Sequence, residues 1–313
     1  MNIFCTIINQ DYVLRGLTLF RSMSPFLKMD KFIIFCIDDE SYDVLKNYKS
    51  SKLKLINTNS FENRVLSELR EKRKINEFCW TLKPICLLYI FKKFINTKWA
   101  VYLDSDSMVF KDFKNSLNDD YDILITSHNP SNKEFWALTK KVGEYNAGFI
   151  AFKQNSNSKL ALNWWQKKCK QKCSAYVTKK TYADQKYLNE FPIKFKNVYS
   201  YTFSGLNVAP WNITDDFNVL KFRKDKLKEL IFYHMQGLKI YNKYIYKIYS
   251  ENFKVDEQTY KLIYLPYIRL LRETYEDLKK LDVKFCQKKE FNIDLKFLIK
   301  NYLTRNNNIK IIF

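Results

Sequence analysis

Two carboxylates two residues apart, Asp104 and Asp106, interrupt the apolar run Ala100-Val101-Tyr102-Leu103-Asp104-Ser105-Asp106-Ser107-Met108-Val109-Phe110. Period-two alternation with β-branched and aromatic neighbours predicts a buried strand that ends at a loop. Like charges at i and i+2 point the same way off a strand and repel unless a cation sits between them, although such a pair can also cap a loop or sit in a solvated turn. Oxygen ligands of this kind suit Mn²⁺ or Mg²⁺. His234, one of two histidines, closes a second apolar run, Leu230-Ile231-Phe232-Tyr233, and is followed by Gly237 and Lys239. At a strand end an imidazole can be a third metal ligand, beside a lysine that binds phosphate.

Other polar residues gather around apolar runs. Asn146-Ala147-Gly148 leads into Phe149-Ile150-Ala151-Phe152; its small residues let backbone and ligand approach closely, and the amide can bond a hydroxyl, although an ordinary turn fits too. Asp184 and Gln185 stand where a helix from Thr181 would begin, and Asp184 reads equally well as its cap. Lys83 lies where a helix over Ser60 to Phe94 leads into the Asp104 strand, within reach of a phosphate. Trp211, in the loop Gly205 to Asn212, offers a ring suited to a sugar face, or simply pins that loop.

These residues need a scaffold. Met1 to Ile8 reads as a first strand, Val13 to Met23 as a helix, Lys31 to Asp39 and Leu53 to Ile56 as further strands, and Lys159 to Cys173 as an amphipathic helix. Strands alternating with helices predict a mostly parallel sheet flanked by helices, with ligands beyond the carboxyl ends of the strands. Thr6, Asn9 and Asp38, just after strands, therefore join Asp104 as candidates. Tyr246 to Leu281 reads as helical with a bend at Pro266. The end, from Lys284, mixes lysines such as Lys288, Lys289 and Lys296 with Phe291 and Phe297, a basic, aromatic appendage suited to an anionic membrane or to packing on the rest of the chain. The expected division is 1–245 and 246–313.

A hydrophobic fraction of 46% over 313 residues excludes a disordered chain and permits a sizeable core. No basic leader precedes the first strand and no apolar run approaches membrane-spanning length, so the expected location is cytoplasmic. Seven cysteines lie mostly in apolar runs and read as small buried hydrophobes. The net charge of +21 fits an acidic membrane face or a phosphorylated substrate. No nucleic-acid module is legible, and nucleic acid is not an expected partner.

Taken in order, Asp104-Ser105-Asp106, Asn146-Ala147-Gly148, Asp184-Gln185 and His234-x-x-Gly237-x-Lys239 resemble the nucleotide-sugar glycosyltransferases of the GT-A fold. The resemblance is strongest to glycosyltransferase family 8, retaining bacterial hexosyltransferases that build lipopolysaccharide and related glycans, and covers residues 1 to about 245. It implies a Rossmann-like α/β fold and a divalent metal, usually manganese, held by Asp104, Asp106 and His234 on the diphosphate of a UDP-sugar. Thr6 and Asn9 would lie near the nucleotide, Lys83, Ser105, Gly237 and Lys239 along the donor, and Asn146, Ala147, Gly148, Asp184 and Gln185 near the sugar. The acceptor would be a glycan or a lipid-linked precursor, with Trp211 on its side. The family continues its histidine motif to Lys-Pro-Trp, whereas here Lys239 runs into Ile240-Tyr241. Asp215 or Asp216 offers a carboxylate for an inverting reaction. Two other classes also fit parts of the chain: a haloacid-dehalogenase-like phosphatase with Asp104 as nucleophile, whose Asp-x-Asp-x-Thr/Val pattern Met108 breaks, and a non-enzymatic basic binding protein.

Overall fold

The computed structural model describes residues 1–130, 133–201, 205–213, 230–242, 244–248, 255–282 and 309–311. In chain order the first part runs β1 (Ile3–Ile8), α1 (Val13–Met23), β2 (Lys31–Cys36), α2 (Asp39–Leu45), β3 (Leu53–Asn57), α3 (Arg64–Lys72), α4 (Ile75–Lys93), β4 (Trp99–Leu103) and β5 (Ser107–Val109). It continues through β6 (Ile123–Ser127), α5 (Lys133–Val142), β7 (Tyr145–Lys153), α6 (Ser156–Gln171), α7 (Phe191–Lys194), β8 (Val198–Tyr201) and β9 (Phe232–His234). The last elements are β10 (Lys239–Ile240), β11 (Ile245–Lys247), α8 (Glu257–Thr259), α9 (Leu265–Leu281) and β12 (Ile309–Ile311).

Seven strands form one sheet in the order β3-β2-β1-β4-β7-β6-β8. All its pairings are parallel except those of β7, which runs against both β4 and β6. β1 is buried on both faces, as its unbroken apolar run demands of a parallel strand. Ile3, Cys5 and Ile7 face a core shared with α4 and α6, while Phe4 and Ile8 face the core of α1, α2 and α9. This is the mixed, mostly parallel, helix-flanked sheet that the sequence predicts.

Four local expectations change. The strand expected over Ala100 to Phe110 is two strands: the chain leaves the main sheet after Leu103, and β5 pairs instead with β9 in a separate ribbon. The strand expected to reach Asp39 stops at Cys36, because Asp38 accepts a hydrogen bond from the Ser41 N–H and caps α2. The helix expected from Ser60 breaks at Arg73, whose guanidinium holds the Cys169 and Lys170 carbonyls at the end of α6 at 2.8 and 2.7 Å. The helix expected from Tyr246 starts only at Glu257, because Tyr246 pairs within β11; α8 then runs through a π-helical stretch, Tyr260–Tyr264, into α9, whose second residue is Pro266.

Residues on the two sides of position 245 pack together. Tyr233 and Met235 share one apolar cluster with Tyr246, Tyr264, Tyr267 and Leu271. Arg21 of α1 also bonds Asp277 of α9 at 2.9 Å. Asp215, Asp216 and the basic stretch Lys284 to Asn308 lie outside the described residues. No helix among the described residues is long and apolar enough to cross a membrane.

Candidate active site

Because β1 and β4 run parallel and β7 runs against them, the end of the first two meets the beginning of the third. Asn9, Asp104 to Asp106 and Asn146 thus come to one edge, around a cavity of about 420 Å³. A register shift opposite Ile125 and Thr126 bends β7 at Ala147 to Phe149, and the Thr126 hydroxyl fastens both sides of the bend by donating to the Asn146 and Phe149 carbonyls. The bend turns the Gly148 carbonyl toward Asp104, whose N–H it accepts at 2.9 Å.

Asp104, Asp106 and His234 each bring a ligand atom within 4.8 Å of the others. His234 Nε2 stands 3.2 Å from Asp106 Oδ1 and 3.9 Å from Asp104 Oδ2. The β5–β9 ribbon makes this possible by setting Ser107 opposite His234, while the Met235 N–H donates to the Asp106 carbonyl at 2.7 Å. Burial opposes charge on both partners, yet their attraction prevails: the Asp106 carboxyl falls to about 2 and the His234 imidazole is held above its usual value.

Gly148 closes the floor of this cluster. A Cβ there would stand 2.6 Å from Asn146 Oδ1, 2.9 Å from His234 Nδ1 and 3.1 Å from Asp104 Oδ2, so no side chain fits. His234 Nδ1 is also buried with no hydrogen-bond partner among the described residues. Two carboxylates and an imidazole, converging over a glycine, form a donor set that fits Mn²⁺ or Mg²⁺.

Lys83 occupies the other side of Asp104. Its ammonium, nearly wholly buried, lies 3.1 Å from Asp104 Oδ1 and 3.4 Å from Asp184 Oδ2, and donates to the Ala147 carbonyl at 3.1 Å. Burial would discharge it, but the two carboxylates keep it protonated well above its ordinary range. Asp184 does not cap the helix expected after Thr181. Ala183 adopts φ +47°, the following turn is 3₁₀ (Gln185–Glu190), and the carboxylate points to Lys83, with burial raising its pKa to about 6.

Asn146 links the remaining groups. Its Oδ1 accepts from the Gly148 N–H at 2.8 Å, and its Nδ2 contacts Gln185 Oε1 and His128 Nε2, each at 3.4 Å. Gln185 is anchored in turn by donating to the Val142 carbonyl at 3.1 Å. Ser105 and Trp211 line the cavity as well; Trp211 is largely buried, its ring edge-on to His128 and His234 at 5.4 and 5.6 Å.

Five expected donor residues do not line the cavity: Ala147 and Gly148 lie in the bend of β7 beneath it, and Thr6, Gly237 and Lys239 stand apart from it. Thr6 is buried within β1, Gly237 forms a turn at φ +83°, and Lys239 is exposed on β10 opposite Lys247. Conversely, sequence reasoning passed over Tyr102, His128 and Asn207. Tyr102 donates to Asp104 Oδ1 at 2.9 Å. His128 is buried, with its pKa lowered to about 4 chiefly by that burial, so the neutral ring can accept from Asn146 and donate to the Glu144 carbonyl. Asn207, at φ +59°, donates to Thr126 Oγ1 and Asn146 Oδ1. The available signals were slight: a histidine just past a strand, and an asparagine after a glycine.

Comparison with known proteins agrees with this arrangement. The model of the nucleotide-diphospho-sugar transferase family matches residues 27–236. The uncharacterized YfnF of Bacillus subtilis (strain 168) is 29% identical over 249 residues, 76% of this chain and 82% of that protein. YfnD of the same organism is 25% identical over 282 residues, 88% of this chain and 90% of its own length. The apo structure of the bifunctional glycosyltransferase WbbM superposes with a TM-score of 0.53 and 17% identity, over 90% of this chain and 52% of that one, a likeness of fold. With more than half of its length matched by the family model, and the sheet and acidic edge that such a donor site needs, the chain belongs to the nucleotide-diphospho-sugar transferase family and is a glycosyltransferase of the GT-A fold.

Proposed function

We propose that the protein transfers a hexose or N-acetylhexosamine from a UDP-sugar to a cell-surface glycan or its lipid-linked precursor, with a divalent cation and with retention of anomeric configuration. The observation that carries this reading is the convergence of Asp104, Asp106 and His234 over Gly148, where a Cβ has no room. A cation bound there would neutralise charge developing on the departing diphosphate.

The chain's own groups divide the remaining work. Lys83 holds Asp104 and Asp184 in fixed positions, so neither carboxylate must reorganise during reaction. Asp184 and Asn146 can bind sugar hydroxyls, and the neutral Gln185 carbonyl can face positive charge growing at the anomeric carbon. Gln185 is a poor base, which favours attack on the same face as the leaving group, with a phosphate oxygen taking the acceptor's proton. Trp211 belongs to the acceptor side. The net charge of +21 supports a place at an anionic, cytoplasmic membrane face, with the basic stretch from Lys284 as the part that meets it.

Incubation with nucleotide sugars and Mn²⁺ tests the reaction class: slow release of UDP, accelerated by a glycan acceptor, is expected. Inorganic phosphate from phosphoesters, without UDP release, would instead indicate the phosphatase chemistry. Proton NMR of the product tests stereochemistry, since a β-linkage from an α-linked donor overturns retention.

A further inference from the structure

Lys239 is exposed on the β10–β11 pair, and the one lysine lining the cavity among the described residues, Lys83, is already shared between Asp104 and Asp184. No described arginine lines the cavity. On the Asp106 side a diphosphate would therefore meet no uncommitted cation in the wall itself.

Arg15 of α1 stands just behind that wall. Its Nη2 donates to the Leu238 carbonyl at 2.6 Å, and its guanidinium lies 4.9 Å from the centre of the Tyr12 ring. Tyr12 lines the cavity together with Asp106 and Gln236. The turn carrying Gln236 is tied at both ends: the Met235 N–H donates to the Asp106 carbonyl at 2.7 Å, and Leu238, whose N–H returns to the Met235 carbonyl at 3.1 Å, is held by Arg15. Gly237, at φ +83°, permits the reversal between them.

Tyr267 of α9 marks the same spot from the other end of the chain. It is wholly buried in one apolar cluster with Met235 and Leu238 of that turn, and its hydroxyl has no hydrogen-bond partner among the described residues. Arg15 itself uses one acceptor among the described residues, although a guanidinium carries five N–H donors. Both residues lie outside the stretch 27–236 that the family model matches.

We propose that Arg15 is a positioning residue for the nucleoside diphosphate, supplying from behind Tyr12 and the Met235–Leu238 turn the positive charge that the sequence pattern assigns to Lys239. This rests on the reading that a metal-bound nucleoside diphosphate occupies the cavity. Arg15 acts without touching the ligand. Arg15 is half-buried, so its permanent charge is only partly screened, and the clamped turn fixes His234 and Gln236 where the phosphates would lie.

The test is calorimetric binding of UDP and UMP to the full chain in Mn²⁺, with thermal unfolding to verify each variant's fold. Arg15→Met and Arg15→Gln should weaken UDP binding about ten-fold or more and UMP binding less, so the UDP/UMP affinity ratio falls. Arg15→Lys should recover most of that ratio, and Lys239→Met should stay within about two-fold of the parent. A merely structural role would weaken both nucleotides equally without rescue by lysine. That outcome, or an Arg15→Met protein that binds UDP like the parent, overturns the inference while leaving the donor reading intact. A parent that binds no UDP in Mn²⁺ overturns the donor reading itself.

Discussion

Asp104 and Asp106 are two residues apart, yet they sit in different kinds of surroundings. Asp104 is held from within the main sheet and its helices: Tyr102 donates to it at 2.9 Å, Lys83 stands at 3.1 Å, and Asp184 shares the same ammonium. Asp106 is held from the ribbon, by His234 at 3.2 Å and by the Met235 N–H on its own carbonyl. One carboxylate has a permanent cation built against it. The other has an imidazole, whose charge depends on pH and whose nitrogen can instead go to a metal. The difference separates two tasks: the Asp104 side fixes the geometry of the site, and the Asp106 side completes the ligand set.

The strongest way to break the comparison is to neutralise either carboxylate. Asp104→Asn and Asp106→Asn should each lower the rate of sugar transfer by about 10²–10³-fold, because each deletes charge at the cation that steadies the leaving group. Near-native transfer by either variant, with an ordinary metal requirement, would refute the metal assignment.

Stability should then tell the two sides apart. Lys83→Met strands two carboxylates without their buried cation and should cost about 3–5 kcal/mol in urea unfolding. His234→Asn should cost far less in the absence of metal, but raise the Mn²⁺ concentration needed for half-maximal activity about 10- to 100-fold. Equal losses of stability would erase the distinction. Mn²⁺ itself, at a hundredfold excess over its dissociation constant, should stabilise the parent by about 2.7 kcal/mol and the Asp106→Asn variant much less, which a thermal scan resolves.

The smallest expected effect sharpens the comparison from outside the ligand set. His128 is buried neutral, with its pKa lowered from 6.5 to about 4. Between those values the unfolded ring binds a proton that the folded ring does not, so this contribution is whole above about pH 6.5 and is lost as pH falls toward 4. Unfolding free energy should drop by about 1–2 kcal/mol from pH 6.5 to 5 on this account. His128→Asn should flatten that slope, and an unchanged slope would assign the acid sensitivity elsewhere.

The acidic pair and His234 were legible because each interrupts or ends an apolar run, where a polar residue is costly unless something compensates it. The parallel order of the first strands followed equally from the alternation of strand and helix. What hid was non-local. Nothing near Ser107 announces that its partner is His234, so two short strands read as one long one. Lys239 sits in the right sequence pattern, but a two-residue strand paired with β11 sets it opposite Lys247 and leaves it exposed. Arg15 reads as the solvent face of an amphipathic helix until the Leu238 carbonyl arrives from 223 residues away. Asn207 matters through a positive φ and two side-chain partners, neither of which its neighbours encode.

The β5–β9 pairing also sets an order of assembly during synthesis. All seven strands of the main sheet are complete by Tyr201, whereas the last member of the ligand cluster arrives only with His234. A nascent chain on the ribosome can thus assemble the sheet, with Lys83 already neutralising Asp104 and Asp184, while the cluster still lacks its imidazole. A polypeptide that stops anywhere in between has the strands of the main sheet and both carboxylates, but neither the imidazole nor the ribbon that carries it.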